Sequence, residues 1–112
     1  MRALCRLDEL PEGGARGFPP APGGLVGLLL VRRGGAARVY ANVCPHLGVA
    51  LDRVPGRFLA PGGADLRCGT HGAAFSADTG ECLDGPCRGD RLTAIDAVVA
   101  DGMVLVADDA GL

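Results

Sequence analysis

The chain has 112 residues, with nineteen Gly and eight Pro, which suits one loop-rich domain of short strands rather than a helical bundle. A formal charge of −2, with all eleven basic residues Arg and none massed in a run, leaves no row of cations to neutralise a phosphate backbone, so no nucleic-acid partner is expected. The most apolar run, Gly24 to Val31, spans eight residues. A bilayer needs about 20, so no membrane partner is expected either.

The opening stretch from Met1 to Glu9 lacks the uninterrupted apolar region of a signal peptide, which makes a cytoplasmic address the expectation. In such a compartment thiols stay reduced. Five cysteines is also an odd count, so metal binding explains them better than a pure disulfide framework.

In chain order, Arg2 to Leu7 reads as a short strand and Pro11 to Gly14 as the turn that ends it. Leu25 to Arg32, apolar on both faces, reads as a central strand. Gly34-Gly35 is a hairpin signal that returns the chain along Ala37 to Val43. From Cys44 the pattern breaks into loops, within which only Asp65 to Cys68, Ala73 to Ser76 and Glu81 to Leu83 look extended. The end is regular again: Asp96 to Ala100 and Met103 to Ala107 are β-rich runs joined by Asp101-Gly102, a two-residue hairpin turn. No helical periodicity persists, and the expected class is all-β.

Both histidines fall in two short boxes, Cys44-Pro45-His46-Leu47-Gly48 and Cys68-Gly69-Thr70-His71-Gly72. Each box offers one thiolate and one imidazole within a single loop. A two-iron cluster of mixed ligation needs such a set, with two thiolates on one iron and two imidazoles on the other, clamped between two facing loops. Pro45 stiffens the first loop, while Gly48 and Gly72 follow the histidines where a tight turn needs conformational freedom. A tetrahedral Cys₂His₂ zinc site is the chemical rival, but a one-residue gap between two ligands strains chelation of a single metal.

On these boxes the chain resembles the Rieske family, whose pattern is Cys-x-His, a spacer, then Cys-x-x-His; here twenty-one residues separate His46 from Cys68. Leu51 after the first box, Phe75 after the second, Thr79-Gly80-Glu81 and Gly85-Pro86 extend the resemblance to the family's downstream turn and proline loop. The resemblance covers about Leu25 to Val106. It implies an antiparallel β-sandwich base, about 1–43 and 88–112, with an inserted loop-built cluster-binding subdomain, about 44–87. One [2Fe–2S] cluster on Cys44, His46, Cys68 and His71 is implied with it.

The positions that carry a loop-bridging disulfide in respiratory Rieske proteins are Val49 and Thr70 here, and those that carry a hydrogen-bonding Ser and Tyr are Ala73 and Phe75. Loss of hydrogen bonds to the sulfurs lowers the reduction potential. A value toward the low end of the range for Rieske centres, about −150 mV, is expected. Oxidised iron should also ease loss of the free imidazole proton, so the potential is expected to fall at high pH.

Cys5 reads as a packed thiol. Cys82 and Cys87 leave three readings open: reduced packing thiols, a local disulfide, or a further metal ligand. Arg53, Arg57 and Arg67 in the spacer read as a solvated loop surface or as a docking face for an acidic partner.

With both histidines used on the cluster, no second metal site or catalytic constellation of its own is expected. The resemblance implies a one-electron carrier, ferredoxin-like, between a reductase and a terminal oxygenase. The alternatives are a small Rieske subunit of a nitrite-reductase-like complex and a redox-sensing partner protein.

Overall fold

The computed structural model describes residues 2–20, 26–43, 51, 58, 65–67, 74–84 and 89–107. Ten strands are present among them: β1 (Arg2–Arg6), β2 (Ala15–Phe18), β3 (Leu28–Arg33), β4 (Ala36–Ala41), β5 (Asp65–Arg67), β6 (Ala74–Ser76), β7 (Cys82–Asp84), β8 (Ala94–Ile95), β9 (Ala97–Ala100) and β10 (Met103–Val106). They form three antiparallel sheets, ordered β1-β10-β9, β2-β3-β4-β8 and β5-β6-β7.

β3 explains why there are two cores. Leu28, Leu29, Leu30 and Val31 are each no more than 1% exposed, so this strand is covered on both faces. Side chains alternate across a strand. Leu28 and Leu30 accordingly join Cys5, Leu7, Leu10, Val39, Val104 and Val106 in one core. Leu29 and Val31 join Tyr40, Leu51, Phe58, Leu66, Phe75, Ala77, Cys82 and Leu92 in the other. The four-stranded sheet is thus the middle layer. Each buried aliphatic side chain contributes about 1.5–3 kcal/mol, whereas an exposed ion pair such as Arg6–Asp8 contributes about 0–1 kcal/mol. The two cores, not the surface charges, hold the layers together.

Both sequence-read hairpins are present. Gly34-Gly35 turns β3 into β4 with Arg33 paired to Ala36. Asp101 (φ 52°) and Gly102 (φ 76°) both occupy the left-handed region, as a two-residue turn of type I′ requires, and set Ala100 against Met103.

Three local readings change. The first strand stops at Arg6, because Leu7–Glu9 form a 3-10 turn in which the Arg6 backbone N–H donates to Glu9 Oε2 at 2.6 Å. β2 was not legible: Ala-Arg-Gly-Phe has no strand-forming run, and it is extended because it pairs with β3 from Ala15↔Val31 to Phe18↔Leu28. The strand read as Asp96 to Ala100 begins at Ala97 as β9, and Asp96 separates it from β8, a short strand not read from the sequence, because there the chain leaves the middle sheet for another. Leu25, the expected start of β3, lies outside the described residues.

Candidate metal centre

The four candidate ligands Cys44, His46, Cys68 and His71 lie outside the described residues, as do Pro45, Gly48, Val49, Arg53, Arg57, Thr70, Gly72, Ala73, Gly85, Pro86 and Cys87. The structure describes the framework from which both boxes spring.

The first box occupies the interval between Val43 and Leu51. On its upstream side, the Asn42 backbone N–H donates to Gly27 O at 2.9 Å and Val43 N–H to Ala41 O at 2.8 Å, which fixes the end of β4. On its downstream side, Leu51 N–H donates to the Asn42 side-chain Oδ1 at 2.9 Å, and the Leu51 side chain is fully buried. The interval therefore begins and ends on one side-chain hydrogen bond.

The second box occupies the connection between β5 and β6. Arg67 and Ala74, the residues on either side of it, are register partners across the hairpin, followed by Leu66↔Phe75 and Asp65↔Ser76. Leu66 and Phe75 are fully buried in the core that also holds Leu51. The chain on either side of both boxes is thus rooted in one apolar cluster. Arg67 N–H also donates to Phe58 O at 2.7 Å, which ties a buried spacer residue to the same sheet. Arg67 itself is exposed at the rim.

The downstream turn read from Thr79-Gly80-Glu81 locks this small sheet to the middle layer. Gly80 N–H donates to Ser76 O at 2.8 Å, and Ser76 N–H donates to Glu81 O at 2.9 Å. Gly80 has a φ of +78°, and a Cβ placed there would meet Tyr40 Cε1 at 2.9 Å, so only glycine fits against the ring. The Tyr40 hydroxyl donates to Ala77 O at 2.9 Å within the core. Burial pushes the Tyr40 phenol above its ordinary value of 10.0. At the surface, Arg33 donates through Nε and Nη2 to the two Asp78 carboxylate oxygens, at 2.8 and 2.9 Å.

Of the remaining cysteines, Cys5 is buried in the core on the far side of the middle sheet, and burial pushes its thiol pKa up. Cys82 is buried beside Phe75, its cross-strand partner. Among the described residues no group of three or more His, Cys, Asp or Glu is placed to hold a metal ion.

Sequence reading missed the Asn42 and Tyr40 contacts. The available signal was weak: an Asn at a strand end commonly bonds nearby backbone, and a lone Tyr in a core commonly finds an acceptor.

The Rieske [2Fe-2S] domain family matches residues 2–100. This chain belongs to that family, and the family's domain carries a [2Fe–2S] cluster. The candidate donor set suits that group, since the sequence offers one Cys and one His per box and the described residues flanking both boxes share one core. No curated protein matches the chain.

Among solved structures, the ferredoxin of carbazole 1,9a-dioxygenase from Nocardioides aromaticivorans IC177 is 26% identical, with 95% of each chain covered and a TM-score of 0.73. A chain of the complex of reduced oxygenase and oxidized ferredoxin in carbazole 1,9a-dioxygenase is 24% identical, with a TM-score of 0.76 over 95% of this chain and 100% of that one. A putative NADH-dependent nitrite reductase small subunit from Mycobacterium tuberculosis is 26% identical, with 97% and 95% covered and a TM-score of 0.67. No helix among the described residues is long and apolar enough to cross a membrane.

Proposed function

We propose that this protein is a one-electron carrier, a Rieske-type ferredoxin that passes electrons from a reductase to a terminal oxygenase. The observation that carries this reading is the family match over residues 2–100 together with likeness to a dioxygenase ferredoxin along 95% of both chains.

Cys44 and Cys68 would hold one iron through sulfur, and His46 and His71 the other through nitrogen. When bound, the cluster supplies a centre that takes up and releases one electron. Cys82 and Phe75, packed across the ladder, and Leu51 and Leu66 in the same cluster form the apolar core that roots the chain next to both boxes. That core stiffens the supports of the ligands.

Phe75 is fully buried and has no hydroxyl to offer the cluster, which supports a potential toward the low end of the Rieske range, about −150 mV. We assign the base to about 1–43 and 88–112 and the cluster-binding unit to about 44–87; the strands β5, β6 and β7 fall within the latter. The protein acts without a catalytic site of its own, in the cytoplasm.

The test is EPR of the dithionite-reduced protein, where the rhombic Rieske signal is expected. A silent sample containing zinc would overturn the assignment. A second reading, the small subunit of a nitrite-reductase-like complex, is favoured by the likeness to the mycobacterial subunit. Stable co-purification with a large catalytic subunit would select that reading over a diffusing carrier.

A further inference from the structure

The sequence places Cys44 and His46 in an interval of only seven residues, 44–50, and the structure shows what holds its two ends together. A seven-residue interval that must present two ligands in one orientation takes part of its geometry from its ends. Its shape depends on how firmly its ends are held at a set distance and angle. Leu51 supplies one constraint, since its fully buried side chain anchors the downstream end in the core shared with Leu66 and Phe75.

A buried side chain can still rotate about its own backbone, however. The second constraint removes that freedom: Leu51 N–H donates to Asn42 Oδ1 at 2.9 Å across a separation of nine residues. Asn42 is itself fixed, because its backbone N–H donates to Gly27 O at 2.9 Å beside the end of β4. The bond therefore runs from a rigid strand end to a rigid core anchor, and the first ligand box lies between them.

We propose that Asn42 is a positioning residue for the cluster, a clasp that closes the first ligand loop and sets the orientation of Cys44 and His46 without touching iron. At the second box the described residues on either side are held by backbone pairing, through the ladder pair Arg67↔Ala74. Among the described residues, the ladder brackets the second box and the Asn42–Leu51 bond brackets the first. The proposal rests on the cluster assignment given above.

The side-chain requirement is specific. The acceptor must sit two bonds beyond Cβ and must be an oxygen. Asn42→Asp keeps such an oxygen at the same reach, Asn42→Ala removes it, and Asn42→Leu keeps the bulk without the acceptor. A hydrogen bond of this kind, once removed with its donor left partly buried, corresponds to roughly a 5- to 10-fold change in the opening equilibrium of the segment it closes.

The experiment uses the holo-protein and four readouts: iron release to a ferrous chelator after reduction, the g-values of the reduced protein, Leu51 amide exchange, and thermal midpoint. Asn42→Ala and Asn42→Leu are expected to release iron about 5- to 10-fold faster than wild type, with shifted g-values and faster Leu51 exchange. Asn42→Asp is expected to stay within about 2-fold of wild type in release and exchange.

Val104→Ala serves as the control. It opens a cavity in the core across the middle sheet, so it should lower the thermal midpoint and leave iron release at 25 °C unchanged. The proposal is overturned if Asn42→Ala releases iron at the wild-type rate. It is equally overturned if Asn42→Asp behaves like Asn42→Ala, or if Val104→Ala releases iron as fast as Asn42→Ala. A wild-type protein that binds no [2Fe–2S] cluster would instead fail the assignment itself, and the first EPR spectrum distinguishes that case.

Discussion

Removal of one hydroxyl tests how the small β5-β6-β7 sheet is attached to the middle layer. Tyr40 is the chain's only tyrosine, is 2% exposed, and donates its hydroxyl to Ala77 O at 2.9 Å. Tyr40→Phe keeps the ring, and with it the contact that requires glycine at position 80, but leaves the Ala77 carbonyl without this donor. A buried hydrogen bond lost in this way costs about 1–2 kcal/mol. For a domain of this size that lowers the thermal midpoint by roughly 4–8 °C per kcal/mol.

The same residue sets an alkaline limit. Burial raises the phenol pKa of the folded state above its ordinary value of 10.0, so the native state holds this proton more tightly than the unfolded state does. The corresponding stability is fully present below pH 10.0 and is lost as pH rises from there through the folded-state value. The assay is urea unfolding at a series of alkaline pH values, with phenolate absorbance followed in parallel; with one tyrosine, that signal belongs to Tyr40 alone. Wild type is expected to lose stability above pH 10 more steeply than Tyr40→Phe, and the folded protein's phenolate signal to appear at higher pH than that of the unfolded chain. Equal slopes for the two proteins, or a phenolate signal with ordinary titration in the folded state, would refute the argument.

Other substitutions test separate parts of the framework. Gly80→Ala forces a residue with φ +78° to carry a Cβ at 2.9 Å from the Tyr40 ring, and it should destabilise by about 2–3 kcal/mol in thermal or urea unfolding. Leu51→Ala removes a fully buried anchor and should cost about 2–5 kcal/mol. Because that anchor borders the first box, the variant should also release iron faster, which chelator kinetics would show. Cys5 is buried with a raised thiol pKa, so iodoacetamide should leave it unmodified at neutral pH in the folded protein and label it on unfolding, as intact-mass measurement can check.

The sequence by itself determined the class, the cofactor-binding family and most of the strands, because these depend on local signals. Residues Leu28 to Val31 could be read as a central strand from their unbroken apolarity, and they are covered on both faces. Asp101-Gly102 could be read as a hairpin because few dipeptides accept two left-handed residues in succession. The two Cys–His boxes could be read because every candidate ligand sits in a short motif, and the family match over residues 2–100 agrees with the resemblance they carry.

Tertiary structure decided what depends on partners distant in sequence. β2 is a strand only because β3 lies beside it, and the break at Asp96 exists because the chain changes sheets there. The common core that holds the residues flanking both boxes joins Leu29, Leu51, Leu66 and Phe75, whose proximity no local pattern encodes. The Asn42–Leu51 and Tyr40–Ala77 bonds are of the same kind. A single polar side chain carries no periodicity, and its partner is chosen by the packing of the layers around it.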